Sequence, residues 1–469
     1  MKKTIAIILC CLMTALSALL ASCSLFSPPD ESASESESGK ETGSSAETYQ
    51  PADLLKEAQE RIDTFRELDF AGKKLTLVCP YGSVDIYQPS DSGTSLSGAR
   101  TLRNLNVAGA VGVDLTVMYT RGDIVSELRL TKDSGDVYAD FVSLPQNRVG
   151  VLAKAGYLQN LVDLPYAAVR SSCYNNTAYS QSSPVYGVYG DFNFDPSYLN
   201  CIYFNEKLCA ENGIDPQALY SSGNWTVEEF LKILRTLDGK LENASGFAWM
   251  SEELGSENRI TDLIYAASGL KYMRADGDAF ADISTQRAES VVSAAREMIS
   301  LRRLSVTELI YDGDAFKGGG VCFYADSLAY SLSLPASLEW SVLPIPSADG
   351  GRAPTLLPQT AEMLCVPTPA ATEACGAFLG AFAAFSDGYI PSMFLRDVFN
   401  SSARTSSVLS NMKEVTASAV CDLAFIEAPA YTYAAAASYG AVRTAVKSGR
   451  TVADITEGVT DRARAELGR

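Results

Sequence analysis

The 469-residue chain contains no histidine. That absence removes Ser-His-Asp and Cys-His catalysis, His-ligated zinc and the commonest general base near neutral pH. Tryptophan is scarce, with three residues. Runs of Lys or Arg are missing, and the formal net charge is -18; the body 51–469 carries -15 of it. An acidic body without a basic stripe argues against nucleic acid, which is held through phosphate neutralisation. Its charge suits a soluble surface-exposed protein instead. No Gly-x-x-x-x-Gly-Lys-Ser/Thr occurs, since Gly39-Lys40, Gly72-Lys73 and Gly239-Lys240 all lack the following hydroxyl residue, so no P-loop cradles phosphate. The cysteines of the body show neither CxxC nor regular spacing, so no disulfide framework is read from spacing.

What is present starts at the N-terminus. Lys2 and Lys3 precede an apolar or small stretch from Thr4 to Ala21, closed by Leu20-Ala21-Ser22-Cys23. A positive start, an apolar run and small residues before a cut site describe an export signal. Leu-Ala-Ser-Cys resembles the bacterial lipobox, which implies cleavage after residue 22 and lipidation of Cys23; the alternative is an uncleaved anchor of about 18 apolar residues. Either reading places the rest of the chain outside the cytoplasmic membrane, on a Gram-positive-type cell surface. Residues 24–50 are rich in Ser and Glu, with too few apolar groups to fold. Such a tether spans roughly 30 Å.

With Cys10 and Cys11 in the signal and Cys23 at its end, eight cysteines remain in the body. Cys79, Cys201, Cys322 and Cys365 lie in apolar runs and read as small buried hydrophobes. Cys201 with Cys209, or Cys365 with Cys375, could pair in an oxidising exterior.

At 47% hydrophobic and 20% charged, the body is long enough for two or three cores. A short amphipathic helix is expected between Pro51 and Leu68. Beyond Lys73, strands at 74–78, 114–119 and 137–142 alternate with helices at 96–107 and 149–157. That alternation predicts βαβ units and a mostly parallel sheet. A second α/β set begins near residue 195. Thr226 and Glu229 predict a capping box opening a helix with Phe230, Leu231, Ile233, Leu234 and Leu237 on its apolar face, and Trp225 is read as packing back on that helix. A helix near 285–301, strands at 321–324 and 363–366, an Ala/Phe-rich helix at 371–385 and a helical stretch over 434–467 follow. Asp-Gly-Asp-Ala-Phe occurs at 276 and at 312, and both copies read as turns.

The segment 188–237 carries a family resemblance. Ile202-Tyr203-Phe204-Asn205-Glu206-Lys207, Gly213-Ile214-Asp215-Pro216 and Asn224-Trp225-Thr226 follow in the order found in family 1 extracellular solute-binding proteins of ABC importers, where a strand ending Tyr-Tyr-Asn-Lys precedes Gly-Ile-Asp-Pro and a Trp-Thr helix start. Ala139-Asp140, Ala155-Gly156-Tyr157-Leu158, Ala315-Phe316-Lys317-Gly318, Trp340 to Pro346 and Ser402-Ala403-Arg404 match more loosely, over about residues 73–410. Ser402 stands where the family has Pro, and the segment after 420 is unusually rich in Ala and Tyr.

The resemblance implies an α/β fold of type II periplasmic-binding-protein kind: two lobes, each a mostly parallel sheet flanked by helices, with ligand between them. Lobe one is expected at 70–192 plus 345–398 and lobe two at 193–344 plus 399–469. It implies a lipid-anchored, non-enzymatic, monomeric binder of a small solute, favouring carbohydrate, that delivers to a membrane permease. No cofactor or metal is implied. A ligand-sensing lipoprotein and a His-free glycosidase working through paired carboxylates are the alternatives. The serine-enzyme triplets fail on order, because Ser222-Gly223-Asn224 and Ser256-Glu257-Asn258 precede both Ser268-x-x-Lys271 and Ser410-x-x-Lys413.

Ligands of α/β sheets sit beyond the carboxyl ends of strands. That rule selects Tyr81, Arg121, Asp123, Ser143 and Gln146 in lobe one, and Trp249, Tyr324 and Asp326 in lobe two. Tyr189, Asp191 and Asn193 come from the crossover, with Gln359 and Glu427 as weaker choices. Sugar recognition needs flat apolar faces and planar polar groups, and this set supplies both. Asp191 also reads as a turn former, and Arg121-Gly122-Asp123 as a loop turn.

Overall fold

Lys73–Pro80 (β1) begins exposed and sinks into the core, with Leu75, Leu77, Val78 and Cys79 buried. The computed structural model describes residues 68, 70–175, 184–238, 240–241, 244–249, 257–268, 286–301, 312–370, 372–402, 406–421 and 431–456. The export signal, Cys23, the 24–50 tether, the expected helix at 51–68, the Asp-Gly-Asp-Ala-Phe copy at 276 and Glu427 lie outside these residues.

The first half continues with Val84–Tyr87 (α1), Ser95–Val111 (α2), Val113–Thr120 (β2), Ile124–Ser134 (α3), Phe141–Pro145 (β3) and Gln146–Lys154 (α4). Next come Asn200–Asn205 (β4), Glu206–Glu211 (α5), Pro216–Ser221 (α6), Val227–Leu237 (α7), Ser245–Trp249 (β5), Glu257–Ala267 (α8), Gln286–Ser300 (α9), Asp312–Lys317 (α10), Val321–Ser327 (β6) and Trp340–Leu343 (β7). The chain closes with Thr355–Leu356 (β8), Glu362–Cys365 (β9), Glu373–Ala384 (α11), Tyr389–Ser402 (α12), Ser406–Ala417 (α13), Ala419–Val420 (β10), Tyr431–Ser448 (α14) and Val452–Thr456 (α15).

Two four-stranded sheets organise these elements. The first has the order β2-β1-β3-β9, with β1 parallel to β2 and β3, and β9 antiparallel to β3. The second has the order β5-β6-β4-β7. Here β5 and β6 are parallel, while β4 runs against both β6 and β7. The second sheet therefore departs from the mostly parallel arrangement expected of it. Its reversed strand is β4, the one that arrives from the first sheet and so enters opposite to its neighbours. A short parallel pair, β8 with β10, lies on the return path between the sheets.

Local chemistry explains several boundaries. The third strand was expected at 137–142 but forms at 141–145. Asp140 bonds both ways with Thr76 of β1, its backbone N–H donating to Thr76 O at 2.9 Å and its carboxylate accepting from Thr76 N at 2.8 Å. This clamp replaces ladder pairing, and Val137 is left exposed. The 312 copy of Asp-Gly-Asp-Ala-Phe is the helix α10 and not a turn, because Phe316 anchors it in the core against Tyr203 and Tyr324. At α7 the Thr226 hydroxyl accepts from Glu229 N, and Trp225 packs on Phe230 with ring centroids 5.4 Å apart. That is a hydrophobic staple, completed by the indole N–H donating to Pro344 O at 2.8 Å.

Helix α11 is buried around nearly its whole circumference, which its Ala, Gly and Phe content permits. Gly376 within it lies so close to the Pro165 carbonyl that an added Cβ would sit 1.8 Å from that oxygen. The eight described cysteines are all buried free thiols. Neither expected pair forms: Cys201 donates to Asp326 O, Cys375 bonds Ala370 O, and Cys209 lies 3.4 Å from Cys322 instead.

Candidate functional site

The carboxyl ends of β1 and β2 present an open aromatic patch. The register sets Cys79 beside Tyr119 and Pro80 beside Thr120, so Tyr81 leaves β1 next to the last residues of β2. Tyr81 and Tyr119 are each 56% exposed, and Met118 is 54% exposed. The two rings meet edge to face, 5.2 Å between centroids at 67°. Arg121 places its guanidinium carbon 4.8 Å from the Tyr81 ring centroid, a cation-π contact. Exposed aromatics of this size are ordinarily turned inward, because burial of each ring is worth a few kcal/mol.

Asp123 borders the patch and caps α3. Its carboxylate accepts from Ser126 Oγ at 2.7 Å and from Val125 N at 3.2 Å. The Ser126 hydroxyl holds its pKa below the ordinary value of 3.8. The patch thus offers two ring faces, one guanidinium and one ionised carboxylate to solvent.

The other sequence-selected residues lie elsewhere. Ser143 is fully buried, its hydroxyl 3.0 Å from Tyr87 Oη and donating to Glu362 at 2.8 Å. Gln146 is fully buried and donates to Leu357 O and Pro358 O, the latter at 2.5 Å. Gln359 is partly buried, and its carbonyl accepts from Asn147 N. Asn193 donates to Glu362 O at 2.6 Å and accepts from Gly190 N at 3.0 Å. Asp191 opens the same short turn and accepts from Gly388 N at 2.7 Å. Tyr189 is buried, and its hydroxyl has no hydrogen-bond partner among the described residues.

In the second sheet Trp249 packs against Phe247, and Tyr324 stacks on Phe316. Asp326 accepts from Ser327 N at 2.6 Å. All three residues are buried. Strand β6 is buried at every position because helices and loops cover both faces of its sheet. A strand end chosen from sequence is therefore not automatically an open one.

Burial also moves two carboxyls. It pushes Glu362 from 4.5 up to about 7, with the Ser143 hydrogen bond pulling partly back. Burial likewise raises Asp191 from 3.8 to about 7, opposed by the Gly388 N–H and assisted by Asp387. Glu362 opens β9 of the first sheet, and Asp191 lies in the segment that leads from that sheet to β4. There Arg103 of α2, itself fully buried, donates to Phe192 O and Ile86 O at 2.8 Å each and lies over the Phe382 ring at 4.1 Å. Arg100 grips Phe194 O at 2.7 Å.

Sequence reasoning reached Tyr81, Arg121 and Asp123 in the patch and missed Tyr119 and Met118. Those two close the expected 114–119 strand, and the strand-end rule, which looks beyond the last strand residue, selects Arg121 and Asp123 instead of them.

No family model and no curated protein matches the chain. Solved structures do resemble it. A cyclo/maltodextrin-binding protein complexed with maltotetraose aligns at 15% identity and a TM-score of 0.51, over 84% of this chain and 97% of that one. The GacH receptor of Streptomyces glaucescens, solved unliganded and with acarbose, aligns at 13% identity and 0.51, over 84% and 98%. An ABC transporter solute-binding protein from Thermotoga lettingae, bound with α-D-tagatose, aligns at 13% and 0.50, over 84% and 99%. At such identities the likeness concerns the fold, which is the two-lobed α/β clamshell of periplasmic binding proteins.

Proposed function

We propose that this protein is a solute-binding protein of an ABC importer that captures a carbohydrate and passes it unchanged to a membrane permease. The observation that carries the reading is the open Tyr81–Tyr119 pair at the carboxyl ends of β1 and β2, with Arg121 and Asp123 beside it. Exposed rings stack on the apolar faces of pyranose units, while a guanidinium and a carboxylate take hydroxyls. The names of the structural neighbours, which include maltotetraose, acarbose and tagatose complexes, support this class. A ligand touching both lobes would favour the closed state, since only a differential contact shifts such an equilibrium.

Anchoring through a lipidated Cys23 gives the reading its economy, because a soluble clamshell would diffuse away from its permease. Acyl anchoring becomes stable with more than one chain, as a lipobox cysteine carries. The buried Ser143, Gln146, Tyr189, Asn193, Trp249, Tyr324 and Asp326, with the partly buried Asp191, serve in this account as the frame behind the contact surface.

The test is a thermal-shift screen of the purified protein with maltooligosaccharides, monosaccharides, polyols, amino acids and short peptides. A ligand at about 100 times its Kd stabilises by roughly 2.7 kcal/mol, which moves the melting temperature measurably. A shift with saccharides and recovery of the sugar intact is expected. Shifts confined to amino acids or peptides would overturn the carbohydrate assignment, and a cleaved sugar would overturn the non-enzymatic one.

A further inference from the structure

A cavity lies on the other flank of the first sheet from the aromatic patch. It encloses about 610 Å³ between the loop Val169–Asn175 and the return segments Arg352–Pro354 and Ala417–Val420. Beyond β9 the sheet is extended by the Val188 bridge to Leu364 and then by the Tyr174 bridge to Gly190. The cavity wall at Tyr174 is therefore five strand steps from β2, about 24 Å at the usual spacing of about 4.8 Å. A solute of monosaccharide size cannot touch both this cavity and the Tyr81–Tyr119 patch.

The chemistry of the lining is unlike the rest of the protein. Among the described residues it contains Arg170 and Arg352, the hydroxyls of Ser171, Ser172 and Ser418, and the amide of Asn175, and no Asp or Glu, in a chain of net charge -18. Glu414, outside the lining, accepts from one Nη of Arg352 and so orients that guanidinium.

The stretch that leads into the Val169–Asn175 loop, which supplies six of the fourteen lining residues, is also strained. Tyr166 and Ala168 hold φ of 66° and 46°, a left-handed conformation unusual for residues with side chains. The strain is held by Tyr174 Oη donating to Ala167 O at 2.7 Å and by the contact of Pro165 with Gly376. Backbone strain held by its surroundings clusters at ligand sites.

We propose that this cavity is a second solute site, for a small hydroxylated carboxylate of the sugar-acid class. Arg170 and Arg352 take the carboxylate, where a planar guanidinium matches two oxygens at once, and the serine hydroxyls and Asn175 take the hydroxyls. The proposal does not depend on the aromatic patch being a sugar site.

Isothermal titration of the full chain with D-glucuronate, glucose and inorganic phosphate tests it, alongside Arg170→Gln, Arg352→Gln, Arg352→Lys and the patch variant Tyr81→Ala/Tyr119→Ala. Saturable glucuronate binding is expected, stronger than that of glucose or phosphate. Affinity should drop roughly 10- to 100-fold in Arg170→Gln and Arg352→Gln, the loss of one charge-assisted contact. The patch variant should bind glucuronate normally. If Arg352→Gln unfolds through loss of the Glu414 pair, Arg352→Lys keeps the charge and should still weaken glucuronate by losing the two-point contact. Glucuronate binding no tighter than glucose, or unchanged in the arginine variants, overturns the site. Phosphate binding as tightly as glucuronate overturns the sugar-acid class. Glucuronate binding abolished only by the patch variant overturns the claim of a separate site, and loss of neutral-sugar binding in that variant concerns the first reading alone.

Discussion

The hydroxyl of Ser143 on β3 donates to the Glu362 carboxyl on antiparallel β9 at 2.8 Å, inside the protein and 219 residues apart in sequence. Tyr87 approaches the same hydroxyl at 3.0 Å, and the Glu362 carbonyl accepts from Asn193 at 2.6 Å. One buried residue thus ties β9 to β3 through its carboxyl and to the segment that leaves the sheet through its main-chain carbonyl.

That tie predicts a pH dependence. Glu362 and Asp191 are both raised to about 7 from 4.5 and 3.8, chiefly by burial. The folded state then holds protons that the unfolded chain releases. Their stabilisation is complete below pH 4 and is lost as pH rises through about 7. Urea unfolding should give wild type a decline of a few kcal/mol between pH 4 and 8, with Glu362 contributing on the order of 3 kcal/mol. Glu362→Gln, which keeps an acceptor for Ser143, should flatten the curve and be the more stable protein at pH 8. Parallel curves for the two proteins would sink the assignment.

Arg103 is a buried cation whose partners are carbonyls and an aromatic face. Burial and its neighbour Arg100 pull its pKa well below the ordinary value. Arg103→Met leaves the Phe192 and Ile86 carbonyls without this donor and should cost about 2 to 5 kcal/mol. Arg103→Lys, a single point of donation, should recover part of that. Thermal melts that place Arg103→Met within a degree of wild type would contradict the clamp.

The aromatic patch is exposed, so it should matter to ligand and little to stability. Tyr81→Ala and Tyr119→Ala should each leave the unliganded melting temperature within about 1 °C, since exposed substitutions stay within about 0.5 kcal/mol. Each should weaken a bound saccharide roughly tenfold, the value of about 1.4 kcal/mol of lost contact. Titration of both variants with the saccharide found by screening decides the matter.

Helix glycines divide by what surrounds them. Gly376→Ala drives a Cβ to 1.8 Å from the Pro165 oxygen, a backbone atom, and should destabilise by about 3 kcal/mol or more. Gly98→Ala in α2 meets nothing within 4 Å and should stabilise by about 0.5 to 1 kcal/mol. Equal effects at both positions would show that helix propensity alone governs them.

The comparison of sequence with structure turns on range. The Thr226 cap, the Trp225 staple and the first two strands of β1 and β2 were legible because their causes lie within a few residues. The helical start at Asp312 was misread as a turn, since the decisive force is Phe316 packing on Tyr203, more than a hundred residues away. The strand expected at 137–142 slipped forward for a similar reason, the Asp140 clamp on Thr76. Among the selected residues, the strand-end rule could not tell the exposed end at Tyr81 from the covered ends at Ser143 and Asp326.

By itself the sequence determined the α/β class, the absence of histidine chemistry and the alternation of strands and helices from Lys73 onward. These follow from composition and short-range periodicity. The tertiary structure decided that β4 runs against its neighbours, that Glu362 is buried with a raised pKa, and that Tyr81 and Tyr119 stay in solvent. Each of those depends on what covers a strand from outside its own segment, and burial is set by the whole chain at once.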